Sequence, residues 1–116
     1  VTAARRAAAA KMEACFVLAG AQVRHESEYP GWAPAAVSPV RDACVASYKK
    51  LFGVEPKVKA IHAGLECGLF TEKFPGLDMV SFGPTLRGVH APGERLELAS
   101  LDKFVALLAD VVKNYK

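Results

Sequence analysis

Near the end of the chain, apolar side chains recur every three or four positions, at Leu101, Phe104, Val105, Leu108, Val111, Val112 and Tyr115. That spacing gathers them on one broad face of an α-helix, and Ser100 stands where an N-cap hydroxyl is wanted. A second helical run follows Ser38-Pro39, which reads as N-cap plus first helical residue. It predicts a helix to Phe52 with Val40, Cys44, Tyr48, Leu51 and Phe52 facing inward and Gly53 as its stop. At the other end, Thr2 can cap a helix to about Leu18, with Ala8, Met12, Cys15 and Ala19 on one face. Gly20 lies where a left-handed C-terminal residue belongs.

The segments between these helices show a shorter period. Residues 21–28 alternate weakly and predict a short strand with Gln22, Arg24 and Glu26 on one side. Residues 57–61 alternate with Val58 and Ala60 on one face, residues 65–74 suggest a short helix, and residues 79–82 form a compact apolar strand after Pro75-Gly76. A strand, helix, strand order with a crossover of this length favours parallel pairing through a right-handed connection, hence an α/β fold. Tyr29-Pro30-Gly31-Trp32-Ala33-Pro34, followed by Ser38-Pro39, concentrates turn formers within about ten residues. A domain crossing is expected there.

Composition narrows the function classes. The 116 residues are 52% hydrophobic and 23% charged, which fits a packed core. The sequence opens on Val1 rather than methionine, so a piece of a larger protein is expected. A net charge of +3 is mild, and its basic residues, Arg5, Arg6, Lys49, Lys50, Lys57 and Lys59, form no stripe interleaved with aromatics, which argues against a nucleic-acid partner. The Arg5-Arg6 pair in an alanine-rich run invites a signal-peptide reading, but Lys11 and Glu13 break any apolar segment. Nowhere does an apolar run reach the eighteen or so residues of a membrane span, so no membrane partner is expected. Cys15, Cys44 and Cys67 are odd in number and lack a CxxC pair, which points to a reducing compartment rather than to disulfides or a cysteine zinc site.

In an open α/β sheet, ligands gather beyond the carboxyl ends of the strands. Parallel strands at 57–61 and 79–82 would bring two loops to one rim, His62-Ala63-Gly64-Leu65-Glu66-Cys67-Gly68 and Gly83-Pro84-Thr85-Leu86-Arg87-Gly88-Val89-His90-Ala91-Pro92. Gly64 and Gly68 would allow a ligand close to the backbone, and Glu66 could hold an ammonium group or a metal-bound water. His90, bracketed by Gly88 and Pro92, reads on spacing alone either as an ordinary loop or capping histidine or as a zinc ligand. His62 reads as structural, and His25 sits in a polar stretch with no evident partner. Two rival functions stay open on these residues: a small α/β ligand-binding module, and a thiol enzyme built on Cys67 with His62 or His90.

Three blocks carry a more specific signal. Ile61-His62-Ala63-Gly64-Leu65-Glu66-Cys67-Gly68-Leu69-Phe70, Asp78-Met79-Val80-Ser81-Phe82-Gly83-Pro84 and His90-Ala91-Pro92-Gly93-Glu94 closely resemble the C-terminal blocks of the aminoacyl-histidine dipeptidases. Leu18-Ala19-Gly20-Ala21-Gln22 and Tyr29-Pro30-Gly31-Trp32 fit the same pattern in the same order. The resemblance therefore runs along nearly the whole chain.

The resemblance implies a larger cytoplasmic enzyme with a two-zinc catalytic domain and an inserted lid, hydrolysing dipeptides such as those ending in histidine. His90 matches the family's last zinc ligand, Gly64 a backbone position lining the substrate pocket, and Glu66 a carboxylate suited to orienting the substrate. Residues 1–28 would be the last helix and strand of the lid, 29–37 the crossing, and 38–116 the C-terminal part of a three-layer catalytic domain. In the complete enzyme two zinc ions would lower the pKa of a bridging water while a glutamate takes its proton. The other zinc ligands, the bridging aspartate, the general base and the lid arginine belong to sequence this chain lacks, and Arg5 and Arg6 do not match that arginine. The chain alone is then expected to be inactive, to bind zinc weakly, and to associate with another copy or with the missing N-terminal part through uncovered apolar faces.

Overall fold

Ser38, Pro39 and Gly53 set the best-defined element of the computed structural model, which describes residues 2–61 and 66–115. Helix α1 spans Thr2–Leu18, α2 Pro39–Phe52 and α3 Cys67–Lys73; the strands β1, Leu86–Arg87, and β2, Arg95–Leu96, follow, then a 3-10 turn at Leu98–Ser100 and helix α4, Leu101–Asn114. Ser38 Oγ accepts from the Arg41 amide at 3.2 Å, Asp78 Oδ2 accepts from the Val40 amide at 2.8 Å, and Gly53 closes the helix at φ +70°. Two oxygens thus satisfy amides that the first turn of α2 leaves without helical partners.

The chain forms two compact units, one comprising Val1–Ala35 and Ala60–Leu77, the other Ala36–Lys59 and Asp78–Lys116. The second unit has a core. Cys44 of α2 packs with Leu107 and Val111 of α4, and Tyr48, Phe52, Val80 and Phe82 close around them. Phe82 and Phe104 stack at a tilt with ring centroids 5.8 Å apart, and Tyr48 meets Phe52 edge-on at 4.7 Å. Lys50 Nζ reaches Asp110 Oδ1 at 2.7 Å, adding an ion pair between α2 and α4. Burial pushes the Cys44 thiol pKa up, so this cysteine behaves as a small hydrophobe.

Helix α1 buries none of its side chains; Met12 and Cys15, on the expected apolar face, stay exposed, and so does Phe16. Its C-terminus follows the expected motif: Gly20 at φ +82° donates to Val17 O at 2.9 Å, and the Ala21 amide reaches back to Phe16 O at 3.0 Å. The segment after it lies along the helix through side chains. Arg5 and Arg6 both bind Glu28, and Glu13 Oε2 lies 3.0 Å from His25 Nε2, so His25 does have a partner.

Several expectations are corrected. Among the described residues 21–28, 57–61 and 79–82 form no strand, and the one sheet is the antiparallel pair β1–β2 with Leu86 opposite Leu96 and Arg87 opposite Arg95. A strand needs a neighbour's amides and carbonyls in register, and alternation cannot supply one. Residues 79–82 still serve the core, with Val80 and Phe82 packed against it and Ser81 exposed. Ser100 does not cap α4. The 3-10 turn makes its backbone helical already, and its hydroxyl donates to Glu97 O at 2.6 Å while accepting from the Thr85 amide at 2.8 Å.

The apolar arc of α4 is wider than the surface that covers it. Leu107, outside the expected stripe, is in the core, whereas Val105, Leu108, Val112 and Tyr115 are exposed. On α2, Leu51 is likewise exposed, and Ser47 is buried in its stead with its hydroxyl bonded to Asp110.

The aspartates predict an acid transition in this unit. Bonds from Ser38 and the Val40 amide hold the Asp78 carboxyl below its ordinary value, and bonds from Lys50 and Ser47 do the same for Asp110. A depressed folded-state pKa contributes stability above the unfolded value of about 3.9, and that contribution is lost as pH falls through the lower folded value. Urea midpoints followed downward from pH 5 should decline, and D78N with D110N should flatten the profile; an unchanged slope would refute the assignment.

Candidate functional site

Strands β1 and β2 make a short hairpin, and His90 stands in its loop. Residues 88–94 turn tightly: the Ala91 amide donates to Gly88 O at 3.2 Å and the Glu94 amide to Ala91 O at 3.1 Å. Gly88 and Gly93 adopt φ of +61° and +86°, and His90 itself has φ +63°. Left-handed backbone suits glycine and is uncommon for a residue with a Cβ. The base of the loop is braced as well. Glu97 donates its amide to Thr85 O at 2.9 Å, Arg87 pairs with the Glu97 carboxylate at 3.3 Å, and Ser100 ties Thr85 to the start of α4.

His90 is exposed, and its imidazole has no hydrogen-bond partner among the described residues. Its backbone amide is engaged: it donates to Glu94 Oε2 at 3.1 Å. An exposed ring nitrogen on a braced loop can serve as one metal ligand. It cannot make a site, and among the described residues no three histidine, cysteine, aspartate or glutamate side chains are grouped to hold a metal. Glu94 was not singled out by sequence reasoning. The available signal was an acidic residue four positions after the histidine across a Pro-Gly corner.

The other expected residues belong to the stretch before the hairpin. Gly64, with His62, falls outside the described residues. Glu66 begins α3 in the first unit, where its carbonyl accepts from the Leu69 and Phe70 amides at 3.0 and 3.2 Å and its side chain is exposed. Partial burial first, then the Glu66 charge, raises the Tyr29 phenol pKa. Gly68, the second residue of α3, is buried under the Pro30 carbonyl. His90 belongs to the second unit. Among the described residues there is no parallel sheet, so the expectation of a shared rim has no sheet to rest on.

No helix among the described residues is long and apolar enough to cross a membrane. The chain is 45% identical over 97 residues to the cytosol non-specific dipeptidase of Escherichia coli (strain K12), an alignment covering 84% of this chain and 20% of that protein. It also resembles the crystal structure of aminoacylhistidine dipeptidase from Vibrio alginolyticus with a TM-score of 0.74 and 35% identity, over 97% of this chain and 23% of that one. The chain thus spans about a fifth of the length of the relatives it matches. Residues 7–114 match the model of peptidase family M20/M25/M40. The chain belongs to that peptidase family.

Proposed function

We propose that this chain is the C-terminal portion of a cytoplasmic, zinc-dependent dipeptidase that cleaves dipeptides ending in histidine. His90 supplies one zinc ligand, and Gly64 and Glu66 line the substrate pocket. Residues 1–28 end the lid, 29–37 form the crossing, and 38–116 end the catalytic domain. The observation that carries this reading is the exposed His90 imidazole, without a hydrogen-bond partner among the described residues, on a braced hairpin loop in a chain 45% identical to a dipeptidase over 97 residues.

Bound zinc lowers the pKa of a coordinated water and polarises the scissile carbonyl. The part played by this chain is to present one imidazole nitrogen and to offer the Glu66 carboxylate to the substrate's ammonium group. Its uncovered apolar residues, Val105, Leu108 and Val112 on α4 and Phe16 on α1, meet the upstream part of the enzyme or a second copy. A monomer in light scattering at high concentration contradicts that last point.

The reading is tested by assaying the complete enzyme on Xaa-His dipeptides before and after chelation, with zinc restored afterwards. Loss and recovery of turnover are expected, with none from the 116-residue chain alone. Turnover indifferent to chelation would overturn it.

A further inference from the structure

We propose that Glu94 is the positioning residue of this site, holding the His90 imidazole in its metal-binding direction by accepting from the His90 backbone amide. The inference rests on reading His90 as a zinc ligand and adds what makes that ligand effective. Among the described residues only Ser27 and His90 combine a side chain with positive φ. Such backbone persists where its surroundings over-determine it. Around His90 these are the glycine corners at 88 and 93 and the Glu94 carboxylate, 3.1 Å from the His90 nitrogen.

The backbone angle at His90 fixes the direction of its Cα–Cβ bond and so the arc that its ring nitrogens can reach. A zinc ligand tolerates only a few tenths of an ångström of error. The amide bond to Glu94 is charge-assisted, stronger than one to a neutral acceptor, and confined to the loop. Glu94 reaches back across four residues while its own amide holds the Ala91 carbonyl, so one residue closes the turn from both its backbone and its side chain. Glu94 is not itself required to touch the metal.

Zinc affinity of the complete enzyme, measured by competition with a chromogenic chelator, tests this in H90A, E94A and E94Q, with the melting temperature of each apo form alongside. E94A is expected to weaken zinc binding by about 10- to 100-fold, the range for partners that orient a ligand. E94Q, which keeps an acceptor oxygen, should recover most of the loss, and the apo melting temperatures should stay at the wild-type value. Wild-type affinity in E94A beside weakened affinity in H90A overturns the positioning role alone. Wild-type affinity in H90A overturns the reading of His90 beneath it. A fall in E94A that tracks a lower apo melting temperature and is not rescued in E94Q assigns Glu94 a merely structural part and also overturns the proposal.

Discussion

Replacing Gly68 by alanine is expected to destabilise the unit containing α1 and α3, although alanine is the better helix former. Gly68 lies within α3, where the exchange alone would gain up to about 1 kcal/mol. A methyl group there would overlap the Pro30 carbonyl oxygen and sit 3.1 Å from the Pro30 carbonyl carbon. These are backbone atoms, which cannot rotate aside as a side-chain tip does. Overpacking of this kind costs about 1–3 kcal/mol and occasionally more, so the clash outweighs the gain in propensity. Hydrogen exchange should show lost protection in α3 and at Gly31, with the amides of α2 and α4 unaffected. Unchanged protection in G68A would mean that α3 does not approach the Tyr29-Pro30-Gly31 turn this closely.

The second large effect is expected at His90. Truncation to alanine removes a ligand outright, so zinc affinity of the complete enzyme should fall by more than the roughly 100-fold lost with an orienting partner. Dipeptide turnover should fall with it and return only partly at high zinc. Because His90 is exposed and its ring packs into no core, the fold should be untouched, with wild-type circular dichroism and thermal midpoint. A large drop in stability would indicate a structural histidine. Unaltered metal affinity would remove it from the ligand set.

How much of this was legible depended on whether the signal was local. The limits of α2 followed from Ser38, Pro39 and Gly53, because capping and helix stopping are settled within a few residues. The end of α1 at Gly20 was legible for the same reason. Strands are lost where alternation at 21–28 and 57–61, or an apolar run at 79–82, stands in for pairing, while β1 and β2 are too short to show any period. Helix α4 was found, but its apolar arc is broader than its contact with α2, so the pattern could not tell Leu107, which packs, from Val112, which does not.

The site divides in the same way. Spacing left His90 between a loop residue and a ligand, and only the likeness of the block from His90 to Glu94 to a dipeptidase family favoured the ligand. The left-handed backbone at His90 and the Glu94 bond to its amide are products of folded geometry that no residue pattern states. His25 was passed over because its partner, Glu13, lies across the α1 terminus rather than at helical spacing.

Diffraction from crystals of the complete enzyme, collected on both sides of the zinc absorption edge, bears most directly on the central claim. An anomalous peak about 2.0–2.1 Å from a ring nitrogen of His90 is the predicted outcome. Zinc peaks ringed wholly by other side chains, with the His90 imidazole turned to bulk water, would contradict it.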